Sequence, residues 1–175
     1  MKDFLQGKWL KHPLHPILVH LPTGLWPAAL LFDTLANLGI GGNALVQTSF
    51  YAILFGLLSA AAAIPPGLAD WVDIRPGKPA RKIGIYHMGM NLVIGAMWAA
   101  NLFLRMDTFA TATAVPALPF ALSIIATPML FVSGYLGGLM IYDHGINVAR
   151  HSKKKWRRIA EKGGAAVPQE KGAES

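Results

Sequence analysis

The chain contains no cysteine. Disulfides, thiolate zinc sites, cysteine-ligated iron–sulfur clusters and thioether-attached haem are therefore excluded. Charge is also scarce. Asp, Glu, Lys and Arg make up 14% of the 175 residues, against roughly 25% in a soluble domain. The deficit is uneven: long stretches have almost no charge, and the basic residues crowd into three short segments. No nucleophile–base arrangement stands out, so hydrolysis is not expected. Whether the chain is an enzyme at all is open.

What is present is apolar. The chain is 53% hydrophobic with a mean hydropathy of +0.40. A membrane-spanning helix needs about 20 mostly apolar residues. Four segments qualify, near Ile17–Leu38, Leu45–Leu68, Ile83–Leu104 and Pro119–Tyr142, with Asp33 the sole charge in the first. The pattern predicts an all-α integral membrane bundle of four transmembrane helices. The opening residues carry Asp3, Lys8 and Lys11 and lack the apolar core and cleavage site of a signal peptide, so the first span is expected to be retained.

Four crossings place the N-terminus, the 69–82 connection and the C-terminus on one side. Those regions hold 15 of the 16 Lys and Arg residues, and Arg105 alone lies opposite. Basic residues flanking spans stay inside, so both termini are expected in the cytoplasm and the protein in the inner membrane. The net charge of +7 then serves orientation and anionic head groups rather than nucleic acid. Residues 1–150 read as the transmembrane domain and residues 151–175 as a basic, disordered cytoplasmic tail. Gly134 with Gly138, and Gly56 with Ala60, are spaced for close helix contact. No internal repeat is evident.

The histidines carry the functional signal. On this topology His12, His15, His20, His87, His144 and His151 all fall on the cytoplasmic side. Asp70, Asp73, Asn91 and Tyr86 join them, and Asn91 lies one helical turn beyond His87. Polar groups at membrane depth face the bundle interior, so His87 is expected to turn inward toward His15 or His20, with Asn91 behind it. Histidines on facing helices can hold a haem axially. A b-type haem or a quinone would use His15, His20, His87, Asn91 and His144, with Gly24 and Gly95 leaving room for a flat ring. A histidine-bound metal ion would instead draw on His12, His15, His20, Asp70 and His87. Interfacial histidines with no ligand remain an equal reading of the residues. The partners expected are the lipid bilayer and a larger membrane complex or a second copy of the chain.

The segments His12-Pro-Leu-His-Pro-Ile-Leu-Val-His-Leu-Pro, Gly67-Leu-Ala-Asp-Trp, His87 with Asn91, Gly134-Tyr-Leu-Gly-Gly and His144-Gly-Ile-Asn-Val resemble an uncharacterised bacterial family. These are four-helix membrane proteins carrying the domain of unknown function 2231. The resemblance spans roughly residues 10–150. Some relatives are joined to a Rieske-type iron–sulfur domain, which implies electron transfer. Relatives often carry an acidic residue in place of His20, which favours His15 and His87 as ligands. The expected function is a redox-associated membrane subunit with haem or quinone at the cytoplasmic end. The rival readings are a cofactor-free accessory subunit and a non-haem metal-binding protein.

Overall fold

The computed structural model describes residues 1–148 and 153–164. Short helix α1 (Lys2–Leu5) and a 3-10 turn precede four long helices: α2 (Leu14–Asn37), α3 (Gly42–Val72), α4 (Pro79–Leu104) and α5 (Ala117–Tyr142). All four are long and apolar enough to cross a membrane. Each expected span is recovered, extended mainly at its ends. The largest extension is in α3, which starts at Gly42 and continues past Leu68 to Val72, with Pro65 and Pro66 inside it. Asp70, expected to open the connection, therefore sits inside the helix. Within the segment read as a disordered tail, Lys153–Lys162 forms α6. Arg150 and His151 lie outside the described residues.

Local chemistry sets the helix starts. Pro13 precedes α2 in extended conformation, Pro79 opens α4, and Pro116 precedes α5. Proline fits at a helix start because its missing N–H has no helical partner there. The turn between α2 and α3 uses Gly39 and Gly41 at positive φ, which glycine adopts at no steric cost. Inside α2, Pro22 has no N–H to offer the Leu18 carbonyl. Ser59 of α3 donates to that carbonyl at 2.7 Å, replacing the lost helical bond where no water is present.

Helix α2 packs on α3 and α5, and α4 packs on α5 and α3. Thus α2 and α4 occupy opposite corners of a square bundle. Their inward side chains meet at its centre. The Trp26 and Trp98 rings stack at 5.5 Å and 19°, embedded among Ala29, Ala52, Ile53, Ile94, Ala126 and Leu130. A Cβ at Gly56 would collide with the Trp26 indole, so the expected close contact at Gly56 is present. Gly134 differs: it is exposed and nothing approaches it. The residue that seats another helix in that stretch is Gly137. Leu31, Phe55, Leu58, Leu92 and Phe131 are all more than half exposed on the outer surface. In water each would lose about 1.5–3 kcal/mol of burial, and lipid removes that loss.

Candidate functional site

Two polar assemblies lie at opposite ends of this apolar middle. At the end shared by the N-terminus and the α3–α4 connection, His15 from α2 and His87 from α4 approach each other. Their ring centroids are 6.3 Å apart with planes at 81°. His15 Nδ1 lies 2.9 Å from the Ala63 carbonyl of α3. His87 Nδ1 lies 2.9 Å from the Ser133 carbonyl of α5. A carbonyl only accepts, so each Nδ1 carries the proton and each Nε2 holds a lone pair. Asn91 donates to His87 Nε2 at 3.1 Å and to the His87 carbonyl at 2.8 Å. His15 Nε2 has no hydrogen-bond partner among the described residues. Both rings rest on a glycine one turn beyond the accepting carbonyl, His15 on Gly67 and His87 on Gly137.

Asp70 is buried nearby and interacts with His15, Gln6 and Asn147. It borders an open pocket of about 410 Å³ whose lining includes Gln6, Lys11, His12, Asp73 and Asn147. The N-terminal segment closes this end. Gln6 donates to the Ala69 carbonyl at 3.3 Å and to Asp73 at 2.6 Å, and Lys2 pairs with Asp73. The Lys2 ammonium, then Gln6, hold the Asp73 carboxyl below its ordinary value.

The other site residues proposed from sequence do not converge on the pair. His20 is exposed and bonds through Nδ1 to the Pro16 carbonyl of its own helix. Five residues beyond His15, it faces well away from it. Gly24 is likewise exposed with nothing near it, so it frames no cavity with His20. His12 is exposed and bonds to the Leu10 carbonyl. His144 lies past the end of α5, half-buried. Among the described residues, no three His, Asp or Glu side chains come close enough to hold a metal ion. The set His12, His15, His20, Asp70 and His87 therefore does not form a cluster.

The opposite end holds an assembly that sequence reasoning did not anticipate. Arg105 Nη1 and Nη2 donate to the two Asp33 carboxylate oxygens at 3.0 and 3.1 Å. Arg105 also reaches Asn101 Oδ1, the Val46 carbonyl and Ser49 Oγ at 3.2–3.3 Å. Asn101 donates to the Pro119 carbonyl and to Ser123 Oγ, each at 2.7 Å. All four long helices contribute, counting Arg105 as the C-cap of α4. Arg105 and Asp33 are 1% and 0% exposed, so this is a fully buried ion pair. The sequence did carry a signal for it: the lone charge of the first span and the lone basic residue on that side have opposite signs and one level in the topology.

No curated protein and no solved structure matches the chain. A family model described as a predicted membrane protein, DUF2231, matches residues 11–150, the stretch that runs from just before His12 through both polar assemblies. On that match, and with four helices long and apolar enough to cross a membrane, the chain belongs to the DUF2231 family of membrane proteins.

Proposed function

We propose that the chain is a small redox-associated subunit of the inner membrane, in which His15 and His87 would hold a b-type haem. The observation that carries this reading is the shared anchoring of the two rings. Each gives its Nδ1 proton to a backbone carbonyl at 2.9 Å. That is the arrangement that fixes ligating histidines and leaves Nε2 for a metal. A six-coordinate b-type haem takes two ligands from the protein, whereas a bare zinc ion takes three or four. Two histidines without a third ligand suit the former. A quinone carbonyl needs a donor, and the Asn91 amide beside the rings already gives its protons to His87 Nε2 and the His87 carbonyl.

When bound, the haem supplies one-electron chemistry. The chain orients both rings, and the Ala63 and Ser133 carbonyls raise their basicity as ligands. Holding the group at His87 Nε2 would require Asn91 to give up its 3.1 Å contact there, while its bond to the His87 carbonyl at 2.8 Å could remain. The positions of 15 of 16 basic residues favour a cytoplasmic location for this end and for both termini. The partner is then a redox protein or complex on that side.

Titrating purified protein with hemin tests the reading. One equivalent is expected to bind, and His15→Ala and His87→Ala should each lose the six-coordinate form. Absence of uptake in the wild type overturns the proposal and leaves a cofactor-free accessory subunit. A reporter that is active only outside the cytoplasm, fused to the C-terminus, should be silent; strong activity overturns the orientation.

A further inference from the structure

Helices α2 and α4 repeat one another. In α2, His15, Trp26 and Asp33 face the centre of the bundle; in α4, His87, Trp98 and Arg105 do. Each residue of α4 lies 72 positions after its counterpart. Each of the three pairs also meets: the histidine rings at 6.3 Å, the tryptophans at 5.5 Å and the charges at 3.0 Å. The steps between them are about three and about two helical turns, so all three positions stay on one face. Buried positions follow the same offset. Pro22, Trp26, Ala29 and Asp33 correspond to Ile94, Trp98, Asn101 and Arg105, and all eight are buried.

The partner helices repeat too. His15 donates to Ala63 and rests on Gly67, while His87 donates to Ser133 and rests on Gly137. Both residues of α5 lie 70 positions after their counterparts in α3. The packing of α2 on α5 is matched by that of α4 on α3. Because α2 and α4 run the same way, a half-turn about the bundle axis carries one hairpin onto the other. The repeat does not show in the sequence because what is kept is mainly the spacing of inward positions; beyond the His, Trp and Gly pairs, few identities survive. Asp33 stands against Arg105, and Ala29 against Asn101.

We propose that the chain is two copies of one helical-hairpin unit fused in tandem about a pseudo-twofold axis, with Asp33 and Arg105 as the diverged pair through which the unlike halves recognise each other. Two first halves would bury two carboxylates face to face, and two second halves two guanidiniums. Either arrangement leaves buried charge uncompensated. The fusion gives one complete axis per chain, with one histidine from each half. That consequence for ligand stoichiometry rests on the haem reading; the duplication does not.

Three full-length variants test the recognition: Asp33→Arg, Arg105→Asp and the double exchange. Folded yield and the thermal midpoint in detergent are the readouts, and neither requires a cofactor, so the result is independent of haem binding. Each single variant should lose folded protein or drop in midpoint by roughly 10 °C or more. The double variant, with opposite charges again facing across the axis, should recover at least half of that loss. A double variant no better than the worse single variant, or an Asp33→Arg protein as stable as the wild type, overturns the proposal.

Discussion

The bundle has a closed polar end and an uncommitted one, about 27 Å apart by helical rise over the eighteen residues from His15 to Asp33. At the closed end, Arg105 is bidentate on Asp33 and bonded to Asn101, Val46 and Ser49. Only its Nε lacks a partner. The loop above adds to the closure: Asn43 donates to the Phe109 and Ala112 carbonyls at 3.0 and 2.8 Å, and Phe50 stacks on Phe109 at 3.9 Å. At the other end the rings are oriented by backbone carbonyls, yet His15 keeps a lone pair with no partner among the described residues, and Asn91 alone covers that of His87. Both ends bury polar groups, but one spends its hydrogen-bonding capacity on holding helices together while the other keeps some in reserve. Stability is expected to reside in the first and ligand chemistry in the second.

The largest effect should come from breaking the closed end. Arg105→Ala leaves the Asp33 carboxylate buried without a counter-charge, which costs about 3–5 kcal/mol. Thermal or denaturant unfolding in detergent measures it. A change under 1 kcal/mol would place the main tie between the helices elsewhere. Ser59→Ala is a smaller break in the same apolar wall. It strands the Leu18 carbonyl, which Pro22 cannot serve, and about 1–3 kcal/mol is expected from the same unfolding measurement.

At the histidine end, substitutions should affect binding more than stability. A Cβ on residue 67 would come within 2.7 Å of His15 Nδ1, whereas one on residue 137 would lie 3.3 Å from His87 Cε1. Gly67→Ala must therefore displace its ring, while Gly137→Ala needs a shift of a few tenths of an ångström. Hemin affinity should fall more than tenfold in the first and by a smaller factor in the second. Equal affinities would show that ring placement does not govern the site.

The smallest effect should come at the N-terminal closure. Asp73 has its carboxyl held low by Lys2 and Gln6. A depressed carboxyl stabilises the folded state above its unfolded value and loses that contribution as pH falls through the folded one. Acidification from neutral to below the ordinary 3.8 should loosen residues 2–10, read as faster amide exchange there after correction for the intrinsic pH dependence. In Asp73→Asn that acid-dependent step should shrink to the part due to Asp3, whose carboxyl Lys8 also holds low; an undiminished step would assign the effect elsewhere.

The fold was largely legible because hydrocarbon thickness imposes a length that composition reveals directly. The four apolar runs mark α2 to α5 to within a few residues. The main departure, at Asp70, arose because the apolar run ends at Leu68 while the helix continues through Ala69, Asp70 and Trp71 to Val72. Here Pro65 and Pro66 are accommodated within α3. The approach of His87 to His15 followed from the cost of turning His87 and Asn91 toward lipid. What anchors the rings did not follow, since backbone carbonyls at Ala63 and Ser133 leave no trace in residue type. The Asp33–Arg105 pair and the repeat were missed for a related reason. Both depend on positions 72 apart that share a face and a depth, while only His15/His87 and Trp26/Trp98 among the meeting pairs keep their identity.

The most direct test of the histidine site is the absorption spectrum of the protein purified from haem-replete cells and then reduced. The account predicts one low-spin haem per chain with a sharp α band, converted to a high-spin spectrum by either His15→Ala or His87→Ala and left low-spin by His20→Ala. A low-spin band that survives both substitutions, or a folded protein with no haem at all, would contradict it.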